Sequence, residues 1–164
     1  MRRLFAAVAL LAAAIALAGC TSVACGESAG SRATLYDSIE ALAADSSLVA
    51  VAVVTITERS AADCDTTVTA RIDRRFEPAA LGGTPTAERN DVVVRHTGPS
   101  DTLVEGRSYL LFLTPTMLQG SAADDYFVTG VTAGIYRVEG DHFVHVPSEG
   151  DDLPATLTPA DLQG

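Results

Sequence analysis

Lysine and tryptophan are absent from this chain, and aromatic residues make up only 5% of it. All 11 basic residues are therefore arginine, set against 21 acidic ones, for a formal charge of -10. Nucleic-acid binding rests mainly on neutralising phosphates, so this acidic balance excludes nucleic acid as a partner. It also disfavours lying flat on an anionic lipid surface. No Gly-x-Ser-x-Gly elbow occurs, and Gly98-Pro99-Ser100-Asp101 lacks the second glycine that would place a nucleophile on a sharp turn. No Cys-x-x-Cys pair and no phosphate-cradling glycine loop are present, so neither a thiol redox pair nor a nucleotide cofactor is expected. Strands do not alternate with helices as in a dinucleotide-binding domain. No catalytic residue, metal ligand or cofactor site is assigned.

The most informative segment is the first twenty residues. Arg2 and Arg3 precede an apolar run from Leu4 to Leu17, followed by Leu17-Ala18-Gly19-Cys20. A charged start, a short apolar middle and small residues before a cleavage point form an export signal. The run falls short of the ~20 apolar residues that span a bilayer. A cysteine directly after Leu-Ala-Gly matches the lipobox of bacterial lipoproteins. Residues 1–19 are thus expected to be removed and Cys20 to carry diacylglycerol on its thiol and an acyl chain on its amine. The expected location is the extracytoplasmic face of a cell membrane, with the lipid bilayer as partner through acylated Cys20. Losing Arg2 and Arg3 makes the remaining chain two charges more negative.

Two further cysteines, Cys25 and Cys64, are left for a disulfide. Outside the cytoplasm two thiols tend to pair. The alternatives are two free thiols or a bond to another chain, and distance decides between them.

Residues 20–33 are small and polar and read as a flexible tether. Thr34 and Asp37 suggest a capping box ahead of a helix from Leu35 to Ala44, with Leu35, Ile39, Leu42 and Ala43 at helical spacing. Leu48 to Thr57 is an apolar β-branched run, as in a strand buried on both faces. Thr66 to Phe76 alternates, with Val68, Ala70 and Ile72 on one side and Thr69, Arg71 and Asp73 on the other. Asp91 to Thr97 is a third strand after a proline- and glycine-rich loop. Ser108 to Leu113 is a fully buried strand stopped at Pro115. Tyr126 to Val138 is strand-like but interrupted by Gly130 and Gly134, which predicts a bulge or sharp bend. Glu139-Gly140 turns into a closing strand, Asp141 to Val146. Residues 147–164 hold prolines and acids and read as a loosely held tail, with one helical turn at Pro159-Ala160-Asp161.

One helix and about six short strands predict a mostly β domain over residues 34–146, a small antiparallel barrel, with a β-sandwich as the alternative. The strand order resembles that of small exported bacterial domains related to the tissue-inhibitor-of-metalloprotease and netrin-like barrels of the OB type. The matching pieces are Ser47 to Ile56, Asp91 to His96, Gly106 to Pro115 (GRSYLLFLTP), and Tyr126 to Val138 with its two glycines. The likeness spans roughly residues 35 to 146 and implies a fold. In the inhibitors, an N-terminal cysteine chelates the target's zinc. Here Cys20 is reserved for lipid, so no inhibitory residue is carried over.

Several side chains deserve weighing. His142 and His145 are the best metal-ligand candidates, but residues at i and i+3 of a strand point to opposite faces. The second function class they raise is a divalent-metal-dependent enzyme; a third is a structural lipoprotein without a specific ligand. His96 reads as an ordinary strand residue. Asp124-Asp125 and Asp151-Asp152 lack the ordered spacing of a calcium loop. Among the aromatics, Tyr126 or Tyr136 is the candidate for an exposed position on a partner surface. The composite expectation is a non-enzymatic, lipid-anchored module that binds a protein or an envelope component.

Overall fold

The computed structural model describes residues 34–59, 66–76, 90–96, 101–147 and 150–162. Cys20, Cys25 and Cys64 lie outside the described residues, as do the signal and tether segments.

Five strands close on themselves. β1 (Leu48–Arg59) pairs with β2 (Thr66–Phe76), β2 with β3 (Asp91–His96), β3 with β5 (Tyr126–Val128), β5 with β4 (Ser108–Pro115), and β4 returns to β1. All of these pairings are antiparallel except β3–β5, which is parallel. That order is the closed five-stranded barrel of the OB type, with the sandwich alternative ruled out by the β1–β4 closure.

Period-2 alternation fills the barrel. Leu48, Ala50, Ala52 and Val54 of β1 face inward with Val68 and Ala70 of β2, Val92 and Val94 of β3, and Tyr109, Leu111 and Leu113 of β4. Alanine at positions 50, 52 and 70 leaves room for Tyr109 and Tyr126 in so narrow an interior. β1 and β2 slip register between Val51 and Ala52 and again between Val54 and Ile56. These bulges carry no glycine, and they bend the two long strands around the barrel.

A second core lies outside the barrel wall. Leu110 and Phe112, on the other face of β4, pack with Val49, Phe76 and the helix residues Ile39, Leu42 and Ala43. β6 (Ile135–Glu139) and β7 (His142–His145) add Tyr136 and Phe143 to it. β4 is thus buried on both faces, as its unbroken apolar run predicts. β1 is buried on both faces only in its first part, and Ile56 reaches solvent at 50% exposure.

The helix is shorter than its sequence suggests. α1 spans Ile39–Ala44, and its N-cap is Ser38, whose hydroxyl accepts from the N–H of Ala41. Thr34 is not the cap. The preceding segment is tied to the far end of the chain: the N–H of Tyr36 donates to Asp151 Oδ1 at 2.8 Å, and its carbonyl accepts from Asp152 at 2.9 Å. Those bonds hold Tyr36 out of the helix.

The same contacts overturn the reading of residues 147–164 as a loose tail. β8 (Thr156–Leu157) pairs with β7, and a 3-10 turn over Pro159–Leu162 follows. Leu157 and Leu162 are buried in the outer core. Two leucines among prolines and acids were enough to anchor it.

Tyr126 to Val138 divides as its glycines predict. β5 and β6 lie along the same edge of β4, and residues 130–133 loop out between them. The N–H of Thr129 donates to the carbonyl of Phe112, and the N–H of Phe112 donates to the carbonyl of Gly134, both at 2.9 Å. One residue of β4 therefore bridges both ends of the excursion. A Cβ at Gly134 would sit 2.8 Å from the Thr129 carbonyl oxygen and 2.9 Å from that of Phe112. Only glycine fits that approach.

Candidate functional site

At the Leu48 end of the barrel, the β4–β5 connection crosses over the mouth. Beneath it lies a cleft of about 490 Å³, whose lining includes Arg75, Asp91, Val93, Asp124 and Asp125. Arg95 of β3 reaches across to Asp125, with Nε 2.8 Å from Oδ2. Asp125 is buried and the Arg95 side chain is 30% exposed, so this is a partly desolvated pair that fixes the connection to the barrel wall.

The connection itself is braced from within. Thr116 Oγ1 donates to the carbonyl of Ala122 at 2.8 Å and accepts from the N–H of Leu118 at 3.2 Å. The N–H of Thr116 donates to the Asp125 carbonyl at 3.0 Å. These bonds hold Met117 in the left-handed region, at φ 58. That conformation costs a non-glycine residue roughly 1–2 kcal/mol. The backbone strain presents two large apolar side chains to solvent, Met117 at 87% and Leu118 at 44% exposure. Large apolar side chains are usually buried, and the bonds of the connection hold these two outside.

The wall beside the cleft continues the surface. Ile56, Thr69 and Val93 lie in one cross-strand row on β1, β2 and β3; Thr67, Arg95 and Phe127 form the next on β2, β3 and β5. The β2–β3 face and the β4–β5 loop are where OB-type barrels present their ligand surfaces.

Other sequence candidates fall elsewhere. His142 sits beside Asp141, Nδ1 to Oδ1 at 3.3 Å, which together with the aspartate's own backbone lowers the Asp141 carboxyl. His145 Nε2 lies 3.1 Å from the Ala133 carbonyl, its ring 4.6 Å from that of Tyr136. Burial lowers the His145 pKa below the ordinary imidazole value, outweighing the opposing effects of the Ala133 carbonyl and the Asp151 charge. The two histidines have separate partners on opposite faces of β7. Among the described residues no group of three or more His, Cys, Asp or Glu is placed to hold a metal ion. His96 is a buried strand residue at 2% exposure.

Neither tyrosine proposed for a partner surface is exposed. Tyr126 is buried in the barrel interior and Tyr136 in the outer core. The packed C-terminal segment covers the latter, which the sequence did not reveal. Burial, and secondarily the Asp151 charge, raise the Tyr136 hydroxyl well above the ordinary phenol range. Sequence reasoning in turn missed Met117 and Leu118. The available signal was two large apolar residues inside an otherwise polar connection.

No family model matches the chain, and no curated protein does. Among the described residues no helix is long and apolar enough to cross a membrane.

Proposed function

We propose that this chain is an extracytoplasmic lipoprotein whose OB-like barrel binds an envelope protein without acting on it chemically. The observation that carries the reading is Leu17-Ala18-Gly19-Cys20 after a charged and apolar leader. Acyl chains on Cys20 supply the membrane affinity, since each buried methylene contributes ~0.8 kcal/mol and two or more chains give stable anchoring. The acidic domain then stands off the anionic surface at the end of residues 20–33. Partner contact is assigned to the Leu48 end, where the connection that lines the cleft also exposes Met117 and Leu118. The barrel order and the Gly130/Gly134 excursion support kinship with the tissue-inhibitor-of-metalloprotease and netrin-like barrels as a scaffold.

Two variants test the two halves of the proposal. Cys20→Ala should leave the membrane fraction; a variant that stays membrane-bound contradicts the anchor. Met117→Ser/Leu118→Ser should keep the fold and the anchor but lose envelope proteins crosslinked to the wild type. Unchanged crosslinking would remove the Leu48 end from consideration.

A further inference from the structure

At the opposite end, near Ser108, lies a second cleft of about 420 Å³, a size that suits a small ligand. Tyr109 and Arg137 are directly paired across β4 and β6, so both side chains leave the same face. Tyr109 belongs to the barrel interior and is 1% exposed; the Arg137 side chain is 47% exposed. Arg107 joins them from the turn before β4. Its backbone is fixed on both sides, the carbonyl accepting from Val54 at 3.0 Å and the N–H donating to Val104 at 3.2 Å.

The donors of this mouth are incompletely used. Among the described residues Arg107 makes no ion pair. Arg137 meets Glu139 at 3.6 Å, with both side chains about half exposed, a contact that water largely screens. The Tyr109 hydroxyl accepts the N–H of Val104 at 3.0 Å, which leaves its own proton to donate. Val104, 41% exposed, and Val146, packed on the barrel core, supply apolar wall.

Charge selects the ligand. Two guanidiniums share a concave site on a chain of formal charge -10, with Asp101 on the same lining and Glu139 beside Arg137 as the opposing acids. Beside two acids a monoanion is repelled less than a phosphate dianion, and a ligand carboxylate can replace that of the half-exposed Glu139 on Arg137. Guanidinium and hydroxyl donors fit a carboxylate, and the valines fit a small apolar group beside it. We propose that this mouth binds a carboxylate carried by a small apolar residue, such as the C-terminus of a peptide ending in valine. The site is at the other end of the barrel from the Met117 loop and does not depend on the lipid anchor.

The test is an NMR titration of the full chain in non-ionic detergent micelles with N-acetylvaline, its uncharged amide N-acetylvalinamide, and inorganic phosphate. N-acetylvaline should shift the Nε–H signals of Arg107 and Arg137 and the amides of Val104 and Val146 saturably. The amide should bind at least about tenfold more weakly, and phosphate should bind more weakly than N-acetylvaline. Arg107→Gln and Arg137→Gln should each weaken N-acetylvaline about tenfold, with the Val68 and Val94 amides unmoved as proof of fold. Equal binding of acid and amide, tighter binding of phosphate, or shifts that map elsewhere overturn the proposal. The comparison of acid with amide uses the wild-type chain alone, so it decides even if an arginine variant fails to fold. The Cys20→Ala chain should bind N-acetylvaline equally, which separates this result from the fate of the anchor.

Discussion

Tyr36 and Asp151, 115 positions apart in sequence, are joined by a 2.8 Å hydrogen bond from the tyrosine N–H to the aspartate Oδ1. The bond closes the outer core. It ties the segment before α1 to the segment after β7, and both cover Leu110 and Phe112 on the back of β4. Asp151→Ala leaves the Tyr36 N–H without this acceptor. The expected cost is about 1–2 kcal/mol in urea unfolding, with the denaturant slope unchanged. An unchanged midpoint would mean that this bond contributes nothing to closure.

Gly134 is the tightest point of the β5–β6 excursion. Gly134→Ala drives a methyl group into two backbone carbonyls, neither of which is a flexible chain end. A loss of about 1–3 kcal/mol is expected, within the range for overpacking. Gly140→Ala serves as the comparison, because its Cβ meets nothing within 4 Å and its penalty comes from φ +67 alone. Thermal unfolding of the two variants should rank Gly134→Ala as the more damaging. The reverse order would contradict the close approach.

Tyr136 carries a buried hydroxyl with no hydrogen-bond partner among the described residues. Such a group costs free energy in the fold that it would recover in water. Tyr136→Phe keeps the ring against Phe112 and His145 and removes the unpaired oxygen. Stability should stay level or rise by about 1 kcal/mol. A clear loss in chemical denaturation would show that the hydroxyl is satisfied in solution.

His145 gives the fold a defined acid sensitivity. Burial lowers its folded pKa, so the native state prefers the neutral ring, whereas the unfolded chain titrates near ~6.5. The stabilisation is complete above that value and is lost as pH falls from it through the lowered folded pKa. Asp141 and Asp161, also lowered, act only below about 4, where carboxylates titrate. The thermal midpoint of the wild type should therefore fall between pH 7 and 5 more steeply than that of His145→Gln. Parallel curves would contradict burial of this ring.

The barrel was legible where burial follows a simple period. The run Ser108 to Leu113 predicted a strand covered on both faces because every residue between two walls must be apolar. Val68 and Ala70 announced a half-buried strand by alternation. Gly130 and Gly134 announced a break because their backbone demands show as residue type. What remained hidden depended on partners distant in sequence. Ser38 caps the helix in place of Thr34 because Asp151 and Asp152 hold Tyr36 outside the helix. Leu157 and Leu162 look unremarkable among prolines until a hydrophobic surface is there to receive them. The bulges in β1 and β2 use no glycine and so left no signature. Arg107 and Arg137 lie far apart in sequence, and only the β4–β6 register brings the second beside the first.

The central claim, a barrel held at a membrane by lipid on one cysteine, is tested most directly by intact mass spectrometry of the product extracted from membranes. The mass should equal that of a chain beginning at Cys20 plus diacylglycerol and an acyl group, and alkaline hydrolysis should remove the ester-linked chains. A chain beginning at another residue, or an unmodified thiol at Cys20, would contradict it.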